Sequence, residues 1–490
     1  MRLSELIAGD PASAPLPTDP EIVGLSADSR EVRPGYLFAA LTGVRHKGSA
    51  FIADAVRHGA VAVLAEPDAA AEAEACRVAL VTDPNPRRRL ALMAAQFFAR
   101  QPETIAAVTG TNGKTSVANF TRQIWLRLER RAASVGTLGV IANGHKHELH
   151  HTTPDPVSLH AALAALAGEG VSHLALEASS HGLDQCRLDG VRIKAACFTN
   201  LTRDHFDYHP NVEAYFKAKA RLFEALLPEG GAAVINAETP EAERLIATSR
   251  ARRHRLFRFG TRGCEIALIE RREEGTGQAL VLDLLGERRE VFFPLPGAFQ
   301  ASNLLAALGL AVGTGESVDA TLGTIETLIS VRGRLELVGH HPSGAPVYVD
   351  YAHTPDGLET VLRAMRPYAR GRLAVVFGCG GDRDKGKRPL MGEVAAALAE
   401  RVIVTDDNPR TEDAGAIRRA ILAACPGAME MGDRRRAIEA AVAALEKGDV
   451  LIVAGKGHEE GQLVGATEIP FDDATVVREA LTALGGEVAA

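Results

Sequence analysis

Cysteine is scarce in this chain: Cys76, Cys186, Cys197, Cys264, Cys379 and Cys425 are its only six among 490 residues, and no two form a CxxC pair. That excludes a disulfide framework or a cysteine zinc site and suggests buried or incidental thiols in a reducing compartment. A membrane-length apolar run is also missing. The longest charge-free stretch, residues 291–315, is broken by Pro294, Pro296, Gln300 and Asn303, and its purely apolar part, 304–312, is too short to span a bilayer. There is no excess of positive charge: 55 Lys and Arg against 62 Asp and Glu give a net charge of -7. A general nucleic-acid or membrane-surface binder is therefore not expected, although local basic pockets remain open. The opening segment carries charges and prolines where a secretory signal needs an apolar core, so a cytoplasmic location and no membrane insertion are expected. Neither a solenoid repeat nor a low-complexity tail is found.

What is present is an ordinary globular composition, 46% apolar and 24% charged, with length for about three domains. Residues 1–100 alternate short apolar runs (37–41, 61–64, 78–81) with polar turns and Ala-rich helical stretches, the pattern of a small α/β unit. Asp83-Pro84-Asn85-Pro86 punctuates a connection into a helix that ends before Pro102. From 101 to 332, candidate strands at 105–108, 174–176, 195–198 and 232–235 alternate with helical patterns, which predicts a mostly parallel sheet. A second boundary falls near Val331-Arg332-Gly333-Arg334. Beyond it, over 333–490, strands at 347–349, 373–377, 402–404 and 450–453 predict another doubly wound α/β domain.

The sharpest motif is Thr109-Gly110-Thr111-Asn112-Gly113-Lys114-Thr115-Ser116, between the 105–108 strand and a helix with Val117, Phe120, Ile124 and Leu128 on one face. Glycines let backbone N–H groups turn toward an anion, and the helix N-terminus adds its positive end. Lys114 suits β- and γ-phosphates, and the Thr115 hydroxyl suits Mg²⁺. Val108 stands where strict GxxxxGK[ST] spacing needs glycine, yet strand, loop, Lys-Thr and helix together predict a nucleotide-triphosphate site. Glu177, ending a strand before Ala178-Ser179-Ser180-His181, faces the ligand edge of a parallel sheet and is a candidate Mg²⁺ ligand. The run from Thr199 to His209, dense in Asp and His, suggests a second cation, with a hydrogen-bonded turn as the alternative. Lys217 and Lys219 read as a solvated helical face. The tract His145-x-His147-x2-His150-His151 lacks Cys or ordered acidic partners and reads as an exposed loop without a metal.

In the last third, four polar loops follow successive strands: Asp350-Tyr351-Ala352-His353-Thr354-Pro355, the Gly-rich run from Gly378 to Arg388, Asp406-Asp407-Asn408-Pro409-Arg410, and Gly455-Lys456-Gly457-His458-Glu459. Such loops converge on one sheet edge, and their mixture of Arg and acidic groups suits a zwitterion.

Taken in order with Asp28-Ser29-Arg30, these motifs resemble the Mur ligase family over essentially the whole chain, in the branch that adds a diamino acid. The resemblance implies an N-terminal UDP-precursor domain, a central P-loop ATPase and a C-terminal Rossmann-like domain that closes over the site. It implies a cytoplasmic ligase of peptidoglycan synthesis, with ATP as co-substrate and Mg²⁺ as cofactor, that adds meso-diaminopimelate to a UDP-muramoyl dipeptide through an acyl phosphate. A monomer with small-molecule substrates and no nucleic-acid partner is expected. ATP would be held by Gly110, Thr111, Asn112, Gly113, Lys114, Thr115, Ser116, Asn303, Arg334 and Asp350. Lys219, as a carbamate, would join Thr115, Glu177 and His205 at the metal, replacing the solvated-face reading; Lys114, Lys219, His205 and Arg334 would be catalytic. The UDP precursor would meet Ser29, Val44, Arg45, His46, His151, Thr152, Thr153, Ser179, Gln185 and Arg187. Arg388, Asp407, Asn408, Pro409, Arg410, Gly455 and Glu459 would take the amino acid. His151 stands where the family often has Asn, and Ala27 where a larger apolar residue can sit.

Two other readings compete: a lysine-adding or folylpolyglutamate-type relative, against which Arg410 and the 28–30 block argue, and a P-loop switch that hydrolyses ATP without an amine.

Overall fold

The computed structural model describes residues 1–8, 18–43, 47–69, 71–72, 76–142, 145–147, 149, 151–202, 204, 208–261 and 263–489, the Lys146 side chain excepted. These gather into two compact units. The first comprises Met1–Lys114, Thr121–Phe257 and Leu310–Gly315; the second comprises Thr115–Phe120, Arg258–Gly309 and Glu316–Ala490.

In the first unit, β1 (Gly24–Ser26), β2 (Tyr36–Ala39), β3 (Ala62–Ala65) and β4 (Ala79–Thr82) form a wholly parallel sheet. Helix α1 (Pro86–Phe98) starts where the punctuation predicts: Asn85 accepts from Arg88 N and Pro86 takes the first turn, where its missing N–H is harmless. Its Leu90, Met93 and Ala94 pack with Leu25, Leu37 and Leu64.

The larger sheet of this unit runs β11 (Ala232–Asn236), β10 (Ile193–Phe198), β5 (Thr104–Thr109), β9 (His173–Glu177), β6 (Ala132–Gly136), β7 (Gly139–Ala142), β8 (His145–His147). It is parallel from β11 to β6 and antiparallel beyond. The central strands are buried on both faces and read as unbroken apolar runs, so polar residues can appear only at their ends. Register aligns those ends: Val108 lies opposite Glu177, and Thr109 opposite Phe198. Three motifs far apart in sequence therefore leave the sheet side by side. The segment 145–147 is a strand, not the loop expected of the His tract, because it pairs antiparallel with β7; His150 lies outside the described residues.

β12 (Arg255–Gly260) leads into the second unit, where it pairs parallel with β13 (Ile266–Glu274), which continues antiparallel into β14 (Gly277–Leu284) and β15 (Glu287–Phe293). The sequence reading found no strands here. Charges such as Arg271, Arg272, Glu273 and Glu290 on the half-exposed strands mask the alternation. The last sheet orders β20 (Met429–Glu430), β19 (Arg401–Val404), β18 (Leu373–Phe377), β21 (Val450–Ala454), β17 (Pro346–Asp350), β16 (Glu336–His340) and β24 (Glu487–Val488). The strands β17 to β21 are parallel, with alternate residues feeding two cores: Tyr348, Val375 and Ile452 on one face, Val349, Val376 and Val453 on the other. Among the described residues no helix is long and apolar enough to cross a membrane.

Candidate active site

In the first unit, β5 hands over to helix α2 (Lys114–Arg127) through a loop that needs two glycines. Gly110 (φ +149°) and Gly113 (φ +88°) occupy conformations that side chains resist, and a Cβ on Gly110 would also strike Thr199 Oγ1. Lys114 Nζ donates to the carbonyls of Gly110 (3.0 Å) and Thr111 (2.8 Å). Residues 199–202 clasp the loop from the next strand end. Thr199 Oγ1 donates to Asn112 O (2.6 Å), Asn112 N donates to Asn200 Oδ1 (2.9 Å), and Thr202 N donates to Thr111 Oγ1 (3.0 Å). This part of the run serves as a buttress for the loop; Arg203, His205, Phe206 and Asp207 lie outside the described residues.

Helix α3 (Val212–Arg221), capped by Asn211, buries Tyr215, Phe216, Ala218, Lys219 and Ala220 and exposes Lys217. The solvated-face reading thus holds for Lys217 and fails for Lys219, which is 1% exposed. Lys219 Nζ donates to Gly110 O (2.7 Å) and lies 4.3 Å from the Tyr215 ring centre. Burial first, and then the charge of Lys114, push its amine well below the ordinary lysine pKa, with Asp204 opposing. Its proton is thereby held less tightly than that of an exposed lysine.

Glu177, also 1% exposed, accepts from Thr137 N (2.8 Å) and Thr137 Oγ1 (3.1 Å). Gly136 leaves room for it: a Cβ there would lie 2.5 Å from Glu177 Cδ and Cγ. A buried carboxylate such as Glu177 is a hard oxygen donor of the kind magnesium prefers. Among the described residues no three His, Cys, Asp or Glu side chains gather as a metal cluster, and His205 lies outside them.

Hydrogen bonds tie Glu177 to the residues assigned to the precursor. Thr137 Oγ1 lies 3.1 Å from Thr152 Oγ1, and Thr153 Oγ1 donates to Glu177 O (2.8 Å) while accepting from Ser179 N (3.0 Å). Arg187 Nη1 donates to Thr153 O (2.6 Å) and Arg187 Nη2 to Gln185 Oε1 (2.8 Å), and burial lowers the Arg187 pKa. Gln185 Nε2 donates to Tyr208 OH (3.2 Å), which donates to Asp184 Oδ2 (2.6 Å). His151 is exposed. Ser29 is buried at the end of the small sheet, its carbonyl 2.9 Å from His58 Nδ1; Val44, Arg45 and His46 lie outside the described residues.

In the second unit, Arg334 Nη2 donates to Thr115 Oγ1 (3.3 Å), and the guanidinium lies 4.5 Å over the Tyr351 ring. Thr115 and Ser116, in the first turn of α2, are both buried. Asp350, at the end of β17, accepts from Leu335 N (2.6 Å) and Ala352 N (2.7 Å). Burial raises its carboxyl from 3.8 to about 6, against the pull of Arg334. On α4 (Ala298–Gly313), Asn303 Nδ2 donates to Gln300 Oε1 (3.1 Å), and Gln300 Nε2 to Arg334 O (3.1 Å). Sequence reasoning missed this role of Gln300, since an amide inside an apolar run carries no motif.

The loops after β17, β18, β19 and β21 share one edge of the parallel sheet. Arg388 is buried; its Nη2 donates to Glu412 Oε1 (3.0 Å), and among the described residues its Nε has no hydrogen-bond partner. The Arg388 hydrogen bond, followed by one from Asp382 N, holds the Glu412 carboxyl down at about 2. Arg410, in a left-handed conformation (φ +51°) after the buried Pro409, donates from Nη1 to Gly381 O (2.8 Å). Asp407 Oδ1 accepts from Asn408 N (2.7 Å), and Asn408 Nδ2 donates to Glu459 Oε2 (2.9 Å). Gly455 (φ +117°) lets the chain pass Asp407, whose Oδ2 would be 2.7 Å from a Cβ there. Glu412 and Lys456 were missed as site residues, although both lie within or beside motifs that were read.

Known proteins match this arrangement along the chain. The Mur ligase middle domain matches residues 108–311, the Mur ligase glutamate ligase domain 333–457, and the Mur ligase family catalytic domain 21–98. A UDP-N-acetylmuramoyl-L-alanyl-D-glutamate–2,6-diaminopimelate ligase of Bradyrhizobium diazoefficiens is 52% identical over 487 residues, covering 98% of this chain and 99% of the relative. A solved structure of a ligase with the same name has a TM-score of 0.71 at 35% identity, with 95% of each chain covered. The MurF ligase of Thermotoga maritima in complex with ADP shares the fold, with a TM-score of 0.60 at 18% identity, covering 94% of this chain and 96% of that one.

Proposed function

The chain belongs to the Mur ligase family, with its three-domain α/β architecture, and we propose from that premise that it joins meso-2,6-diaminopimelate to UDP-N-acetylmuramoyl-L-alanyl-D-glutamate. The reaction consumes ATP and yields UDP-MurNAc-tripeptide, ADP and phosphate, a cytoplasmic step of peptidoglycan synthesis. Residues 1–100 hold the UDP precursor, 101–332 the ATP, and 333–490 the amino acid. The enzyme works as a monomer on small molecules, without nucleic acid.

A carboxylate does not condense with an amine in water, because its oxygen leaves poorly. The D-glutamate γ-carboxylate therefore takes the γ-phosphoryl group of ATP, and the amine attacks the resulting acyl phosphate, releasing phosphate. Transfer between two anions needs concentrated positive charge, which Lys114 and Arg334 supply. Thr115, Glu177, His205 and Lys219 as a carbamate would hold magnesium, which would supply electrostatic neutralisation of phosphoryl oxygens. The depressed Lys219 pKa supports that carbamate, because only a neutral amine attacks carbon dioxide. Asn303 and Asp350 serve the nucleoside side of ATP. Arg187, Ser179, Thr152 and Thr153 hold the precursor next to Glu177 through the bonds described above.

The observation that carries the amino-acid assignment is the grouping of Arg388, Arg410 and the Asn408–Glu459 pair on adjacent strand ends. Guanidiniums match carboxylates, and a carboxylate with an amide matches an ammonium group. Incubation with ATP, Mg²⁺, the UDP-dipeptide and single amino acids, read by product mass, tests the assignment. A tripeptide formed with diaminopimelate and not with lysine is expected; preference for lysine, or ATP hydrolysis without an amine, would reject it.

A further inference from the structure

Lys456 follows β21, and its side chain is completely buried. Its Nζ donates to Gly461 O (2.5 Å), Glu459 Oε2 (2.9 Å) and Asn408 Oδ1 (3.2 Å), one acceptor for each of its three N–H bonds. Asn408 Oδ1 also accepts from Leu463 N (2.9 Å). Two donors on that atom fix which end of the amide is oxygen, so the NH₂ must point to Glu459 Oε2. The carboxylate oxygen Oε2 is thereby saturated by Lys456 and Asn408. Among the described residues Glu459 Oε1 makes no hydrogen bond, and it remains as the acceptor for an incoming ammonium.

The Gly461 bond anchors a second element. The hairpin of β22 (Gly461–Val464) and β23 (Thr467–Pro470) straps the amino-acid-reading run. Gln462 Nε2 donates to Asp407 O (2.6 Å), Arg410 N to Leu463 O (3.0 Å) and Gly465 N to Arg410 O (2.7 Å). One buried ammonium group therefore joins Leu463 N in setting the polarity of the Asn408 amide and also anchors the start of the strap that holds Arg410.

We propose that Lys456 is a positioning residue for amino-acid recognition, locking the Asn408–Glu459 pair and the β22–β23 strap in the geometry that reads the diamino acid. The inference rests on the assignment of these loops to the amino acid. Without the ammonium, Leu463 N alone holds the Asn408 oxygen, and Glu459 Oε2 loses its buried cationic donor. Lys456 touches no substrate; it acts through Asn408 and Glu459.

The test uses the full-length enzyme and its Lys456→Met variant, with KM measured for diaminopimelate, ATP and the UDP-dipeptide, alone and in a Glu459→Gln background. Expected is a KM for diaminopimelate raised about tenfold or more, with the other two within about twofold. In the Glu459→Gln background the same substitution should add less than about twofold, because its main target is already gone. Equal rises for all three substrates, or an undiminished effect in the Glu459→Gln background, would overturn the proposal. So would failure of both Lys456→Met and Lys456→Gln to fold, since the side chain would then be part of the scaffold. If the wild-type enzyme uses another amino acid, the assignment of diaminopimelate fails, and the same cycle run with that substrate still decides the role of Lys456.

Discussion

Replacing Gly136 with alanine probes the Glu177 centre without removing a polar atom. The new methyl carbon would lie 2.5 Å from both Glu177 Cγ and Cδ and closer still to Oε1, where ordinary contact begins near 3.4 Å. The carboxylate must retreat by about 1 Å inside a packed interior. Its bonds from Thr137 N (2.8 Å) and Thr137 Oγ1 (3.1 Å) then stretch or break. Overpacking costs about 1–3 kcal/mol, and losing one hydrogen bond to a buried charge about 1.5–3 kcal/mol more, so a loss of about 2.5–6 kcal/mol is expected. On the proposed metal role of Glu177 the catalytic effect should be disproportionate, since misplacing a catalytic-centre group by about 1 Å lowers kcat by about a hundredfold. Urea unfolding gives the first quantity; phosphate release titrated with Mg²⁺ gives the second. A variant with wild-type stability and unchanged Mg²⁺ dependence would refute the packing argument and the Glu177 assignment together.

Lys114→Ala should abolish ADP release; an unchanged rate would remove the phosphate-loop assignment. Arg410→Ala should raise KM for diaminopimelate far more than KM for ATP, and equal losses would contradict its role as a carboxylate reader. Burial raises Asp350 from 3.8 to about 6, so between those pH values the folded protein retains a proton that the unfolded chain releases. Stability from this group therefore falls as pH rises through that window, by at most about 3 kcal/mol, and is level above it. Asp350→Asn lacks that slope, so urea unfolding at about pH 4.5 and about pH 7 should favour the variant more at the higher pH; a pH-independent difference would rule this out.

Much of the site was legible because parallel strands buried on both faces leave polar chemistry nowhere to go but their ends. Gly110, Lys114, Glu177, Asp350, Asp407 and Gly455 all stand just at or past apolar runs. The hairpin strands β13 to β15 were not legible, because charges along their exposed positions resemble loops. The residue pattern alone also misread Lys219: on α3 its neighbour Lys217 is exposed, and composition treats the two alike.

The order of motifs, the strand-loop-helix around Lys114 and the polar ends of the last sheet were fixed by the amino-acid string, since each depends on neighbours a few residues away. Tertiary structure alone decided that Lys219 meets Gly110 across 109 residues, that Thr199 and Asn200 brace the glycine loop, and that Lys456 orients Asn408 from 48 residues away. Periodicity reports which face of an element is apolar. What a buried charge finds opposite it depends on strand order and register, and those exist only once the chain has folded.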